Sequence, residues 1–241
     1  MISKQFEKWA SSYAGCDGGD VGGPNKRSIW LCGIEWGGGH TPEDVRENIA
    51  EEVKTPPDGY DSWNENLMYS YNRQVMKLFS AMGGRPVSDF RKFAEDVKPF
   101  TCGASGYYKL NLYPIAFKKT SHDLWKSGFA DVTGFPSKEE YLRWYNEVRL
   151  PVISNWARKH QPAAIICLGK TFKDQFGKAF LVDEGSWKVE ALGDRELSYG
   201  RNSLGGTVFV LPFVSGPHGL NRNSTIQKFG ERIAEIIHAG K

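Results

Sequence analysis

The sequence predicts an α/β fold: a three-layer α/β/α domain with a mostly parallel central sheet. Two observations carry this. Short apolar runs alternate with stretches of helical periodicity along the whole chain, and the runs are apolar at consecutive positions, as in strands covered on both faces. A third concerns size: 241 residues, 40% hydrophobic and 24% charged, build a core that needs neither disulfide nor metal. No repeat, charge block or long linker divides the chain, so a single domain over residues 1–241 is expected.

Taken in order, Ser3 to Tyr13 places Phe6, Trp9, Ala10 and Tyr13 at helical spacing, and the stretch Gly15 to Gly23 stops that helix. Arg27 to Trp36 reads as the first core strand and runs into Gly37-Gly38-Gly39. Pro42 to Lys54 reads as a helix capped by Thr41, with Glu43 and Asp44 in the turn where the macrodipole favours acid. Asn64 to Met82 sets Leu67, Tyr71, Val75, Leu78 and Phe79 on one face, and Asp89 to Val97 follows as a further helix. Tyr107 to Ile115 is the second strand, ended near Pro114. Ser137 to His160 is the longest helix, with Pro151 expected to kink it or to open a new segment. Pro162 to Gly169 is a third strand, followed by Lys170-Thr171 and a helix to Phe176. Trp187 to Leu192 and Glu196 to Tyr199 form a hairpin around Gly193-Asp194. Thr207 to Val214 and Ile226 to Ile237 supply the last strand and helix.

The formal charge of +3 permits a polyanionic partner without requiring one. The four cysteines, Cys16, Cys32, Cys102 and Cys167, are far apart, so no zinc or redox pair is expected, and Cys32 and Cys167 read as buried small hydrophobes. No stretch reaches the roughly 18 unbroken apolar residues of a membrane span, and Met1 to Tyr13 has no continuous apolar leader, so a cytoplasmic protein free of the membrane is expected.

In a parallel sheet, ligands sit beyond the carboxyl ends of the strands. Four polar tips are expected to converge there: Glu35 to Gly39, Asn111, Gly169 to Thr171, and Ser215 to Asn223. Glu35 beside Trp36 is either a partly desolvated carboxylate suited to activating water or a solvated strand-end acid. Asn111, between Leu110 and Leu112, either reads the paired carbonyl and N–H edge of a pyrimidine or ties down a neighbouring loop. His218 either donates to a developing anion or stands in solvent. Leu220 either packs beneath its loop or enters a base stack as a wedge. The triplet Gly37 to Gly39 matches neither a Walker loop nor a dinucleotide fingerprint. Lys118, Lys119, Lys170, Arg222 and Lys228 either flank a nucleic-acid groove or are ordinary solvated cations.

In combination and order, these segments resemble the uracil-DNA glycosylase superfamily, nearest in flavour to its single-strand-selective and mismatch-specific branches. Gly33-Ile34-Glu35-Trp36-Gly37 is similar to the first motif, Gly-x-Asn/Asp-Pro-Gly/Tyr. Asn111-Leu112-Tyr113-Pro114-Ile115 is similar to Asn-Leu-Cys-Pro-Leu. Ala164 to Lys170 resembles the strand and turn before the last motif, and Gly216-Pro217-His218-Gly219-Leu220-Asn221 resembles His/Asn-Pro-Ser-Gly/Pro-Leu/Arg-Ser/Asn. Trp36 stands where the motif has proline, Gly216 where it has the residue supporting the departing base oxygen, and His218 where it has a small serine.

The resemblance implies a monofunctional glycosylase that flips a damaged or deaminated base out of single- or double-stranded DNA and cuts the N-glycosidic bond with no cofactor and no metal. Glu35 then orients water and His218 stabilises the departing base as catalytic residues. Trp36, Gly37 and Asn111 bind the base, with Gly37 implying a wider pocket than a tyrosine there allows. Leu220, Asn221, Arg222 and Lys170 contact DNA, Leu220 as the wedge. The alternatives are a glycosylase-like module that binds nucleic acid or a nucleotide without cutting it, and, ranked last because Leu220 then has no evident purpose, a hydrolase of small nucleosides or sugar phosphates.

Overall fold

The computed structural model describes residues 2–51, 53–117, 125 and 128–239. Lys118 and Lys119 lie outside them. The described chain is α/β, with helices on both faces of a seven-stranded mixed sheet.

The strands are β1 (Gly18–Gly19), β2 (Ile29–Gly33), β3 (Tyr107–Asn111), β4 (Ala164–Leu168), β5 (Lys188–Leu192), β6 (Arg195–Arg201) and β7 (Thr207–Leu211). Their order across the sheet is β1-β3-β2-β4-β7-β6-β5. The central four, β3, β2, β4 and β7, run parallel, while β1 and the β5–β6 hairpin close the edges antiparallel. Nearly every residue of the central strands is buried. Period-two alternation sends Trp30, Cys32, Ile165 and Cys167 into one core and Leu31, Ile166 and Leu168 into the other.

The first core is covered by α1 (Lys4–Ala10), α2 (Pro42–Ala50), α6 (Phe129–Thr133), α7 (Lys138–His160) and α8 (Lys173–Phe180). The second is covered by α4 (Ser70–Met82), α5 (Phe90–Val97) and α9 (Asn223–Ala239), with the single turn α3 (Trp63–Asn66) beside them. Caps act where the sequence put them: Ser3 accepts from Phe6 N–H, and Thr41 with Asp44 forms a reciprocal capping box at α2.

Four local expectations change. The helix foreseen over Asn64 to Met82 is two helices. Arg73 donates to the Leu67 and Met68 carbonyls, each at 2.8 Å, and Asn72 donates to the Asn66 carbonyl, so side chains satisfy groups that a continuous helix would use internally. The chain can thereby turn between Leu67 and Tyr69. Helix α1 ends at Ala10, capped at Ser11 before the stretch Gly15 to Gly23, and that stretch supplies edge strand β1, which has no side chains for a periodicity to show. At Gly18, φ is +105°, and a Cβ would collide with the Pro57 carbonyl. Helix α7 continues through Pro151 with its buried face intact, so no new segment opens there. A short 3₁₀ turn, Lys170–Phe172, precedes α8, which runs past the expected end at Phe176 to Phe180.

Candidate functional site

A cavity of about 960 Å³ opens beyond the carboxyl ends of β2, β3 and β7. Its walls come from the β2–α2 loop, from Lys109 and Asn111 on β3, from the first turns of α4, and from the loop after β7. Lys109 and Asn111 share a face of β3 because they are two residues apart.

Asn111 is 4% exposed. Its Nδ2 donates to the Gly15 carbonyl at 3.1 Å, which fixes the orientation of the amide and leaves Oδ1 against Gly33. A Cβ on residue 33 would collide with that oxygen, so glycine there makes room for the amide. The amide ties down the chain at Gly15, one of the two alternatives, and it also lines the cavity.

Glu35 is not a solvated strand-end acid. Its side chain is 7% exposed, and Oε2 lies 3.6 Å from Nζ of Lys138, the first residue of α7. That separation is long for a charge-assisted hydrogen bond, normally about 2.7–2.9 Å. Lys138 Nζ also sits 3.8 Å from the centre of the Phe117 ring. Oε1 of Glu35 is buried and accepts no hydrogen bond. Burial pushes the Glu35 carboxyl up from 4.5 to about 7, against the opposing pull of Lys138. The same burial pulls the Lys138 ammonium down.

The second charged pair was not foreseen. Lys109 Nζ donates to Asp17 Oδ1 at 2.8 Å, to Tyr60 Oη at 3.0 Å and to Asn72 Oδ1 at 3.0 Å, which uses all three ammonium hydrogens. Tyr60 in turn donates to Asp17 Oδ1, and the Trp36 indole donates to Asp17 Oδ2 at 2.9 Å. The signal available was Lys109 itself, a cation between Tyr108 and Leu110 in a strand expected to be buried. Asp17 gave no such signal, because it sits in a glycine-rich stretch that read as a helix stop.

His40 is a second addition. Its Nδ1 accepts from Ala116 N–H at 3.1 Å, so in the neutral ring Nε2 carries the proton, and burial pulls the imidazolium pKa down. Tyr60 lines the cavity with Tyr69, Tyr71 and Phe213. The Tyr71 and Phe213 rings lie 5.7 Å apart, centre to centre.

Of the nine residues to which the resemblance gives a role, Glu35, Trp36, Gly37, Asn111 and Asn221 meet in this cavity. Four do not. Leu220 is 1% exposed and belongs to the core shared by the sheet and α9, with its N–H donating to the Phe213 carbonyl. It packs beneath the loop and is not a wedge. His218 is exposed and forms no part of the cavity wall, so the role of donor to a departing base has no geometry behind it. Lys170 faces Glu196 across 3.9 Å of solvated surface. Arg222 is exposed outside the cavity, and its carbonyl accepts from Thr225 and Ile226 at the start of α9. The loop is instead braced by Arg195, which donates to the Pro217 and Gly219 carbonyls, and by Asn221, which donates to the Gly216 carbonyl.

Among the described residues, no group of three or more His, Cys, Asp or Glu side chains is arranged to hold a metal ion, and no helix is long and apolar enough to cross a membrane. Cys32 and Cys167 are fully buried, as their apolar surroundings implied. No protein-family model and no curated protein sequence matches the chain.

Proposed function

We propose that the cavity receives a nucleobase and that the chain hydrolyses the N-glycosidic bond holding it, with Glu35 as the base that activates water. The observation that carries this is Glu35: a carboxyl 93% shielded from solvent, poised near neutrality, in the wall of an aromatic cavity that also contains a fixed amide. The resemblance to uracil-DNA glycosylases in the segments around Glu35 and Asn111 supports the same reading. In the step envisaged, Glu35 carboxylate takes a proton from water as the water oxygen bonds to the anomeric carbon. The carbon–nitrogen electron pair leaves with the base, which is then protonated. His40, with its proton on Nε2, is the imidazole of this wall that replaces His218 as donor to the departing base.

Two observations widen the substrate from a base in DNA to a free nucleoside or nucleotide. The buried Leu220 removes the wedge for a duplex, and with it the reason for ranking small nucleosides last. A volume of about 960 Å³ accommodates a whole small ligand, since pockets of about 300–1,000 Å³ hold drug-sized molecules.

The test is base release, followed chromatographically. Substrates are single- and double-stranded oligonucleotides carrying uracil, hypoxanthine or xanthine, and the common free nucleosides. Release by the wild type and a loss of about 100-fold or more in Glu35→Gln, with binding retained, support the proposal. Binding without release by the wild type makes the chain a recognition module. Release by Glu35→Gln at the wild-type rate removes Glu35 from the chemistry.

A further inference from the structure

Helix α7 buries four polar side chains along one stripe, Lys138, Tyr141, Tyr145 and Arg149, at helical spacing. Lys138, at its start, faces Glu35. Arg149, about three turns later, is fully buried, and among the described residues its guanidinium meets no carboxylate. Its donors go instead to carbonyl oxygens: Nη1 to Ala10 at 2.7 Å and to Ser12, Nη2 to Ala14, and Nε to Leu112 at 3.3 Å. Ala10 ends α1, so the helix leaves its carbonyl open, and Ser12 and Ala14 lie in the connection that follows. These contacts enclose one bond of the candidate site. The Gly15 carbonyl accepts from the backbone N–H of Asn111 and from its Nδ2, each at 3.1 Å. Arg149 thus holds the chain on both sides of that bond, at Ala14 beside Gly15 and at Leu112 beside Asn111. Gly15 has φ +81°, and a Cβ there would lie 2.7 Å from Pro114 Cα, so glycine lets the connection press against the end of β3.

We infer that Arg149 is a positioning residue of the candidate site: it sets the Gly15 carbonyl, and through it the direction in which Asn111 presents its amide to the cavity. Stability alone does not call for arginine here. Buried ionic groups often hold a core no better than apolar residues of similar volume, whereas the rigid fork of a guanidinium fixes several acceptors relative to one another. The acceptors fixed are the two flanks of the Gly15–Asn111 contact. This placement stands on geometry, and its effect on base release rests on the proposed function.

The experiment follows solvent exchange of the Asn111 Nδ2 hydrogens by NMR in the full chain, their signals identified by their loss in Asn111→Ala. Arg149→Lys keeps the charge and loses the fork. It is expected to speed that exchange about tenfold or more, while the backbone N–H groups of Ile166 and Phe209, within β4 and β7, stay within about twofold of the wild type. Gly15→Ala leaves Arg149 in place, displaces the accepting carbonyl, and is expected to speed the same exchange. Should Arg149→Lys not fold, this second variant decides whether the amide depends on the clamp. Unchanged Asn111 exchange in either folded variant, or a rise that the core N–H groups share, overturns the inference and leaves Arg149 a residue of the fold alone. In base release, Arg149→Lys is expected to lower kcat/KM about tenfold, but less than about twofold in the Asn111→Ala background, because it acts through that amide. Equal losses in both backgrounds also overturn the inference. No release by the wild type overturns the proposed function, and the exchange rates then decide on Arg149 by themselves.

Discussion

Two carboxylate–lysine pairs border one cavity, Asp17 and Lys109 both in its wall and Glu35 there without Lys138, and they differ in almost every respect. Asp17 and Lys109 meet at 2.8 Å within a net of Tyr60, Asn72 and Trp36 that uses all three ammonium hydrogens. Glu35 and Lys138 stand 3.6 Å apart, and one carboxyl oxygen has no donor. A buried charge with all its partners is an anchor; a buried carboxyl with an open oxygen is a reagent. With the proposed function, stability falls to the first pair and chemistry to the second, and the comparison can be broken from either side.

The largest expected effect is on the anchor. Lys109→Met removes one charge and leaves Asp17 buried with 12% of its side chain exposed, and breaking such a pair costs about 3–5 kcal/mol. Urea unfolding of Lys109→Met is expected to show the unfolding free energy lowered by that amount. A shift below about 1 kcal/mol would make the net ornamental and undo the comparison.

Glu35 is expected to behave the other way, and pH reads it. Its pKa rises on folding from 4.5 to about 7, so the protonated form is favoured in the native state. The stability this contributes is fully present below about pH 4.5 and is lost as pH rises through about 7; at about 1.4 kcal/mol per pKa unit the loss is on the order of 3 kcal/mol. Glu35→Gln should flatten that part of the stability–pH curve between pH 4.5 and 8. Base release should follow the opposite trend, rising with pH through about 7, because the carboxylate is the active form. Stability and rate both rising with pH over this window would show that Glu35 is not held protonated by burial.

The contrast between the pairs also explains what the sequence could and could not reveal. The parallel core was legible because strands buried on both faces leave unbroken apolar runs, and β2, β4 and β7 fall within the runs expected of them. Glu35 and Asn111 were legible because each is a polar residue at the end of such a run. The Asp17 net was not, because it joins β1, β3, α4 and the loop carrying Tyr60, segments up to 92 residues apart that show no shared pattern. Leu220 shows the converse error: a leucine between glycine and asparagine reads as exposed, but the loop folds inward so that it reaches the core against α9. His218 sits two residues earlier on the same braced turn and faces solvent. Loop direction depends on contacts such as Arg195 with Pro217 and Gly219, 22 and 24 residues away, and no local motif encodes it.

Trp36 offers the smallest and most discriminating test, because it belongs to both pairs. It follows Glu35 in the chain, and its indole holds Asp17 at 2.9 Å. Trp36→Phe keeps a ring of similar shape and deletes one donor, while Asp17 keeps Lys109 and Tyr60, so the stability cost should be only about 1–2 kcal/mol. The loop beyond Trp36 is three glycines, held at its far end by the His40 N–H on the Ala116 carbonyl, so loss of the indole donor frees its near end, next to Glu35. Water then reaches the carboxyl more readily, and the desolvation that raises its pKa weakens. The midpoint of the rate–pH profile in Trp36→Phe should therefore fall from about 7 toward the ordinary carboxylate value of 4.5. A midpoint that stays near 7 while stability drops would mean that the anchor holds the fold without tuning the reagent, and that the two pairs share a cavity but not a function.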